Sequence, residues 1–411
     1  MADRNVRTTV APPDAPRDAP SRRSGSAMLS RTSLSHAEPS APASATGVIT
    51  VDLPQIRANW RVLAQRVAPA GCAAVVKADA YGLGAARVIP ALYQAGCRSF
   101  FVATIEEARK ARGYGPGATI YVLDGILPGS AGDIAAIGAR PVMTGVEEAR
   151  SWAAIAIDDT TAPPAALHVD TGLHRLGMGE AELDLLLADG VLTGRLDIAL
   201  LMSHLACADE AHHPMNRAQL EAFRRLRTKV PKARASLAAS DGLMLGRDYH
   251  FDLVRPGYAL YGGQASPNRT TPVGPVVRVS VRILQVHEVP AGGAIGYSAT
   301  YRASSPRRIA TIAAGYADGI FRHASAANGE TGGCVSIRGQ LAPIVGRVSM
   351  DLVTVDVTGI DGPPLARGEF VDLIAPDLPL ERVGSGAGSI GYEVLTRLGT
   401  RFHRNYVDDG D

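Results

Sequence analysis

The chain has 411 residues, of which 46% are hydrophobic, and its formal net charge is +2. This length favours two domains, and the interspersed charges argue against a nucleic-acid or membrane-surface partner. No apolar run is long enough to span a bilayer. The four cysteines show no zinc-type spacing, so no metal is expected, and their dispersal favours reduced thiols in a cytosol.

Residues 1–46 are rich in Ala, Pro, Arg and Ser, and this composition predicts a disordered leader. The segment lacks the apolar core of a secretory signal, and Met28 is an alternative start. A folded region is predicted from Gly47 onward, where short apolar runs begin.

From Gly47 to residue 276, short apolar runs alternate with segments of helical spacing. The first predicted strand, Val48–Leu53, precedes a helix with Pro54 in its first turn. Eight further runs are predicted strands: Ala73–Ala78, Ser99–Thr104, Thr119–Asp124, Arg140–Thr144, Ala165–Asp170, Leu196–Leu205, Arg234–Ser240 and Phe251–Arg255. Predicted helices between them include Ile105–Arg112, Val146–Ile155, Glu180–Ala188 and Pro214–Val230. The alternation favours an α/β fold with a parallel (β/α)8 barrel over 47–276. A doubly wound sheet is the alternative, but its strand–GxGxxG–helix unit is missing.

The ends of the predicted strands carry polar side chains. In chain order they are Lys77, Thr104, Asp124, Thr144, Asp170, His204, Ser240 and Arg255. In a barrel these ends share one mouth, where active sites lie. Lys77 follows an apolar β-branched run, and desolvation there favours the neutral amine that Schiff-base chemistry needs. Each residue alone also has a plain structural explanation. Lys77 could snorkel, His204 could be a core residue, and Ser240 could cap a helix while Arg255 pairs with a carboxylate. Their joint placement favours a site.

After Pro275 the pattern changes to strand alternation, as in Val277–Val286, with Gly/Pro turns between later apolar runs. Residues 277–411 are therefore predicted to form a second, mostly β domain. Two tyrosines, Tyr297 and Tyr392, follow glycines in turns. A tyrosine beside a glycine is usually a packing residue, so this pattern alone assigns no role to either one.

The segment Val75-Val76-Lys77-Ala78-Asp79-Ala80-Tyr81-Gly82 resembles the pyridoxal-phosphate attachment motif of the alanine racemase family, which has fold type III. Further segments resemble the family's signatures in the same order: Asp170–Gly177, Ser203–Ala206, Ser240, Val254–Gly257, Gly296–Tyr301, Gly315–Gly319, Gly346–Asp351 and Gly391–Glu393. The resemblance runs from about Gly47 to the C-terminus. It implies a (β/α)8 TIM-type barrel followed by a mostly β domain, whose sheet can take in the first strand.

The resemblance implies that pyridoxal 5'-phosphate binds covalently to Lys77. Hydroxyl and backbone donors would hold the phosphate, and they are Tyr81, Ser240, Tyr392, Gly257 and Tyr258. Arg255, oriented by His204, would face the pyridine nitrogen. Because an arginine side chain has no site to accept a proton, the ring nitrogen would stay unprotonated. The ring would then be a weaker electron sink, which suits racemisation better than transamination.

The resemblance further implies an isomerase that interconverts L- and D-alanine with two bases, Lys77 on one face and Tyr297 on the other. Tyr297 would come from the second chain of a homodimer, and nearby cations would help it to accept a proton. Arg175 and the backbone of Met350 would bind the substrate carboxylate, and Tyr316 would narrow the entrance. The product would be D-alanine for peptidoglycan synthesis in a bacterial cytoplasm.

One position departs from the family pattern. Many members carry a carbamylated lysine where this chain has His168, so Arg175 would be positioned by His168 or by a bound anion instead. Three alternatives stay open: a racemase of broader amino-acid preference, a fold-type III decarboxylase or Schiff-base aldolase, and a non-catalytic cofactor-binding protein. Residues 277–411 argue against the last, because binding proteins of this fold usually lack the β domain.

Overall fold

The computed structural model describes these parts of the chain: Leu34 and residues 38–156, 161–264, 266 and 271–408. Most of the predicted leader, including Met28, lies outside them. Leu34 is buried. Close to the first strand, Arg282 donates from Nε to the carbonyl of Ala45 (3.0 Å) and from its backbone N–H to that of Thr46 (2.8 Å).

The first region of the fold is built on short strands. They are β1 (Gly47–Asp52), β2 (Gly71–Cys72), β3 (Ala74–Val75), β4 (Ser99–Val102), β5 (Thr119–Val122), β6 (Arg140–Met143), β7 (Ala165–His168), β8 (Ile198–Met202), β9 (Arg234–Ser236) and β10 (Leu253–Val254). Strands β3 to β9 form one parallel sheet in chain order.

Strand β10 closes this sheet into a ring. It pairs in parallel with β2, and Ala73 N donates to Val254 O at 2.9 Å. On the other side, Arg255 N donates to Ala238 O at 2.9 Å, just beyond β9. Strands β2 and β3 therefore act as one strand interrupted at Ala73, and the described residues supply eight strand positions. The predicted (β/α)8 barrel is confirmed.

Helices follow most barrel strands. They are α1 (Leu53–Val67), α2 (Ala85–Ala95), α3 (Ile105–Tyr114), α4 (Ala131–Ile137), α5 (Val146–Ala153), α6 (Glu180–Ala188), α7 (Gly190–Gly194) and α8 (Pro214–Arg227). Helix α1 begins where Asp52 accepts a hydrogen bond from Gln55 N at 2.8 Å, with Pro54 in the first turn. Its apolar face is buried through Leu53, Ile56, Leu63 and Val67. Among the described residues, no helix has the length and apolar character needed to cross a membrane.

The C-terminal region is mostly β, as predicted. Its strands are β11 (Val277–Val289), β12 (Ala294–Ile295), β13 (Tyr301–Arg302), β14 (Arg307–Ile312), β15 (Cys334–Ile337), β16 (Gln340–Pro343), β17 (Val353–Asp356), β18 (Phe370–Ile374) and β19 (His403–Val407). Two short helices, α9 (Leu380–Ser385) and α10 (Gly391–Thr396), lie between β18 and β19.

Strand β1 belongs to this C-terminal sheet and not to the barrel. It pairs antiparallel with β11, where Gly47 faces Val281, and parallel with β19, where Val48 faces His403. The sheet runs in the order β16–β15–β18–β11–β1–β19, and β14 pairs with β11 while β17 pairs with β14. Helix α1 thus leads from the C-terminal sheet into the barrel.

A buried ion pair joins the two central strands of the C-terminal sheet. Arg278 Nε lies 2.8 Å from Asp372 Oδ1, and Ser280 Oγ donates to the same carboxylate at 2.5 Å. The pairing satisfies charges that would otherwise be costly to bury. It explains why polar residues of β11 are buried beside the alternating valines that predicted this strand.

Candidate active site

A cavity of about 1100 Å³ opens at the C-terminal ends of the barrel strands. It is lined by most of the residues singled out in the sequence: Lys77, Tyr81, His168, Arg175, His204, Ser240, Arg255, Gly257, Tyr258 and Tyr392. Glu381 and Tyr392, from α9 and α10, add a wall from the C-terminal region. The position agrees with the rule that barrel sites lie at this end of the strands.

An unusual turn presents Lys77 to the cavity. After Lys77, residues Ala78, Asp79, Ala80 and Tyr81 have φ between 52° and 57°, a left-handed conformation that non-glycine residues seldom adopt. The chain therefore bends sharply at the strand end. Lys77 is exposed in the cavity, so the expectation that the strand end would desolvate its side chain is wrong for the single chain.

Ser240 and the segment that follows Arg255 form a cradle of donors. Ser240 Oγ accepts hydrogen bonds from Gly257 N (3.0 Å) and Ala259 N (3.1 Å), so its own proton can point into the cavity. Among the described residues, the N–H of Tyr258 has no acceptor. An added Cβ at Gly257 would lie 2.4 Å from Tyr81 Oη, so only glycine allows this approach. Such neutral donors suit an anion of phosphate size.

Three tyrosine hydroxyls of the cavity wall stay protonated at neutral pH. Burial raises the pKa of Tyr81 to about 12. Burial also raises the pKa of Tyr392, with the charge of Asp241 as the next cause. The pKa of Tyr258 is raised by burial and then by Glu381. Tyr258 and Tyr392 stack with ring centroids 3.9 Å apart, which fixes both rings.

Arg255 is almost fully buried, at 3% exposure, under the cavity. Its guanidinium donates to Ser203 O at 2.6 Å and to Ser236 Oγ. These bonds and a longer one to Leu237 O orient the guanidinium. Within the described residues, the ring of His204 makes no hydrogen bond with Arg255. Burial lowers the pKa of Arg255 to about 9, so it is still a cation at neutral pH.

Two histidines lie in the same wall as Arg175 and Arg255. Burial, followed by the charges of Arg255 and Arg175, lowers the pKa of His168 to about 4 and that of His204 to about 3. Both imidazoles are therefore neutral at neutral pH. His168 therefore brings no charge to Arg175.

Tyr297, Tyr316 and Met350 do not line this cavity. They are 70%, 40% and 53% exposed, and they lie on the C-terminal region. The segment from Gly346 to Asp351 connects them. Arg347 donates to Ser298 Oγ at 2.9 Å, and the backbone around Tyr316 bonds to the carbonyls of Ser349 and Met350 at 3.0 Å. The chain thus presents two separate sets of predicted site residues, one in the cavity and one on this exposed surface.

Glu381 is a residue of the cavity wall that no sequence pattern indicates. Its Oε1 accepts a hydrogen bond from the Tyr258 hydroxyl at 2.8 Å and from Gln264 N at 2.6 Å, so it ties α9 to the cradle. Glu381 and Tyr258 are distant in sequence, and no local pattern links them. Glu107, which contacts the lysine turn, was missed although it follows the helix N-cap Thr104 at capping-box spacing.

These features define a class of protein. A (β/α)8 barrel that offers a lysine amine, neutral donors for an anion and a buried arginine suits a cofactor that carries both an aldehyde and a phosphate. Models of two domains then identify the family: the alanine racemase N-terminal domain matches residues 51–265, and the alanine racemase C-terminal domain matches residues 276–406. The chain belongs to the alanine racemase family.

Individual relatives extend this likeness over both regions. An alanine racemase from Methylobacterium nodulans is 48% identical over 360 residues, which cover 88% of this chain and 96% of that protein. A protein from Agrobacterium fabrum named "alanine racemase, catabolic" is 44% identical over 367 residues, which cover 89% of this chain and 93% of that protein. The crystal structure of alanine racemase from Bartonella henselae with covalently bound pyridoxal phosphate has a TM-score of 0.83. It is 41% identical to this chain, covering 88% of it and 100% of the other.

Proposed function

We propose that this protein is a pyridoxal-phosphate-dependent alanine racemase, an isomerase that interconverts L- and D-alanine. The observation that carries the proposal is the meeting of Lys77 with the donor cradle around Ser240 and the buried Arg255 in one cavity. The names of the relatives support it, and so does the relative with covalently bound pyridoxal phosphate.

The residues of the cavity fit this cofactor. Lys77 would bind its aldehyde carbon through Nζ, and the donor cradle around Ser240 would hold its phosphate. The phosphate donors would be the hydroxyls and the free N–H of the cradle, from Ser240, Tyr81, Tyr392 and Tyr258. When bound, the cofactor supplies an electron sink that acidifies the Cα–H of an attached amino acid. Arg255, which stays charged and accepts no proton, would leave the ring nitrogen unprotonated.

Proton transfer in both directions needs one base on each face of the substrate Cα. Lys77 Nζ would move the proton on one face, and the phenolic oxygen of Tyr297 on the other. In the single chain, Tyr297 lies on the exposed surface with Tyr316 and Met350 and away from the cavity that holds Lys77. We therefore infer a homodimer in which each cavity is completed by the exposed set of the partner chain.

Substrate binding would use both sets of residues. Arg175, from the cavity, and the backbone N–H of Met350, from the partner, would hold the carboxylate of alanine. Tyr316 would narrow the entrance and favour a small side chain. D-Alanine for peptidoglycan is the proposed product, although the likeness to a protein named as catabolic also supports use of the reaction in alanine breakdown.

A reducing compartment, the cytoplasm, is the proposed location. All four cysteines, Cys72, Cys97, Cys207 and Cys334, are free thiols. Burial raises the pKa of Cys97 to about 12, which keeps that thiol protonated and unreactive.

The activity is tested by following the optical rotation of L-alanine with purified protein and added pyridoxal phosphate. Decay of the rotation to zero with alanine conserved is expected. Persistent rotation would contradict the racemase, and release of carbon dioxide would favour a decarboxylase of the same fold.

Sharing of sites between chains is tested by mixing two inactive variants, Lys77→Ala and Tyr297→Phe. A mixed dimer has one cavity with both native bases, so random pairing should restore roughly a quarter of the wild-type activity. If mixing restores nothing while the two variants form mixed dimers, the shared site is excluded.

A further inference from the structure

The turn that carries Lys77 is held in a costly conformation. Four successive residues, from Ala78 to Tyr81, have φ between 52° and 57°. This backbone conformation is unfavourable for residues that carry a side chain, so neighbouring groups must stabilise the turn. The direction in which the lysine amine points depends on those groups.

One carboxylate contacts this turn directly beside Lys77. Glu107 Oε1 accepts the hydrogen bond from Ala78 N at 2.7 Å, and Glu107 Oε2 accepts that from Ala103 N at 2.7 Å. Glu107 is itself fixed, because its N–H donates to the N-cap Thr104 Oγ1 at 3.2 Å. Both carboxylate oxygens therefore join the lysine turn to the end of strand β4 through charge-assisted bonds.

The charges near Lys77 agree with this geometry. The pKa of Asp124, another residue of the cavity wall, is raised by burial and then by the charge of Glu107, whereas Lys77 acts in the opposite direction. The three groups thus lie in one electrostatic neighbourhood at the barrel mouth. Glu107 accepts a hydrogen bond from the backbone N–H that directly follows Lys77. In the described part of the chain, Glu107 does not line the cavity.

A second glutamate of the barrel makes the same kind of contact, with both carboxylate oxygens bound to backbone N–H groups, but among the described residues no reactive group lies beside it. Glu148, in the first turn of α5, accepts from Ile126 N at 2.9 Å with one oxygen and from Thr144 with the other. Neither Glu148 nor Ile126 lines the cavity in the described structure. Glu148 therefore provides a matched control for the contribution of this contact to stability alone.

We propose that Glu107 is a positioning residue, whose carboxylate holds the left-handed turn so that the amine of Lys77 is directed to the cofactor. The proposal rests on the proposed function, because it concerns the lysine that would bind pyridoxal phosphate. Glu107 does not line the cavity in the described structure, so its effect would pass through the turn that it contacts.

The test compares Glu107→Gln with Glu148→Gln. A glutamine keeps the shape but has only one acceptor oxygen, so one of the two backbone N–H groups then faces an NH2 donor. We expect a roughly 10–100-fold slower reaction of Lys77 with pyridoxal phosphate in Glu107→Gln, the equivalent of losing one charged hydrogen bond. Borohydride trapping and mass spectrometry measure this rate. The chain has only three other lysines, Lys110, Lys229 and Lys232, which serve as internal references.

Two further measurements separate positioning from stability. Amide exchange of the segment 77–84 in the cofactor-free protein should become faster in Glu107→Gln and stay unchanged in Glu148→Gln. In the racemase assay, kcat should fall while KM for alanine stays within about twofold, because the carboxylate-binding residues are untouched. Glu107→Asp, which keeps the charge but is one methylene shorter, should show the same pattern more weakly and replaces Glu107→Gln if that variant fails to fold.

The possible results are distinguishable. If Glu107→Gln and Glu148→Gln change trapping and exchange at Lys77 alike, or not at all, the positioning role is refuted. If wild-type protein does not racemise alanine, the proposed function fails. Trapping and amide exchange still decide the role of Glu107 in that case, because neither requires turnover.

Discussion

Replacing Gly257 with alanine tests whether the close approach of Tyr81 to the barrel end belongs to the cofactor site. The added Cβ would lie 2.4 Å from Tyr81 Oη, 3.0 Å from its Cζ and 3.2 Å from Val75 Cβ. Since ordinary contact begins at 3.4 Å, the hydroxyl would have to retreat by 3.4 − 2.4, or about 1 Å. A shift of that size would move the Tyr81 hydroxyl out of hydrogen-bond range of the phosphate that it is proposed to bind. Gly257 has φ −126°, which lies outside the left-handed region that favours glycine.

Overpacking of this kind costs about 1–3 kcal/mol, and 1.4 kcal/mol corresponds to about a tenfold change in affinity. We therefore expect Gly257→Ala to weaken binding of pyridoxal phosphate roughly 10–100-fold. The assay is a titration of cofactor-free protein followed by the absorbance of the lysine-bound cofactor. Gly132→Ala is the control, because an added Cβ in α4 would meet no atom within 4 Å. Wild-type affinity in Gly257→Ala would refute the steric argument.

Three further predictions follow from the fold and the site. Tyr297→Phe should slow racemisation by about 10²–10⁴-fold, which is the usual contribution of a general base. Lys77 should still exchange the Cα hydrogen of D-alanine with deuterium in D₂O. NMR measures both reactions, and an unchanged rate of racemisation would exclude Tyr297 as a base. His168 has its pKa lowered from 6.5 to about 4, so below pH 6.5 the unfolded chain takes up a proton that the folded chain does not. The free energy of unfolding should therefore fall as the pH is lowered from 6.5 to 4, by up to ~3 kcal/mol for this group. Urea unfolding of His168→Asn should depend less on pH than unfolding of the wild-type protein. The same pH dependence in both proteins would contradict the lowered pKa of His168. Asp372→Asn removes the charge of the carboxylate that pairs with Arg278. It should lower the free energy of unfolding by about 3–5 kcal/mol. A decrease as small as that of a surface substitution would contradict a stabilising role for the ion pair.

The barrel and its mouth could be predicted because the signals are local. Buried parallel strands appear as short apolar runs, and the residue after each run must lie at the C-terminal edge of the sheet. This rule alone predicts that Lys77, Ser240 and Arg255 lie together, and all three line the cavity.

Other parts of the site depend on contacts between distant segments. Glu381 meets Tyr258 across 123 positions, and β1 finds its partners in β11 and β19 near the other end of the chain. Periodicity shows which face of an element is apolar but not which element covers it. The exposure of Lys77 was mispredicted for a related reason, because the left-handed turn after β3 directs the chain away from the buried strand.

The C-terminal region also contacts the end of the lysine turn. Arg404, in β19, donates to Gly82 O at 3.2 Å, and a Cβ at Gly82 would lie 2.6 Å from Leu395 O. A Cβ at Gly84 would lie 2.1 Å from Tyr406 Oη, so the two glycines let the C-terminal strand and helix close over the turn. Strand β19 is in turn paired with β1, which leads directly into the first barrel helix. Both the barrel and the C-terminal sheet therefore contact the turn that follows Lys77, and the segment from β1 into α1 connects these two parts of the fold.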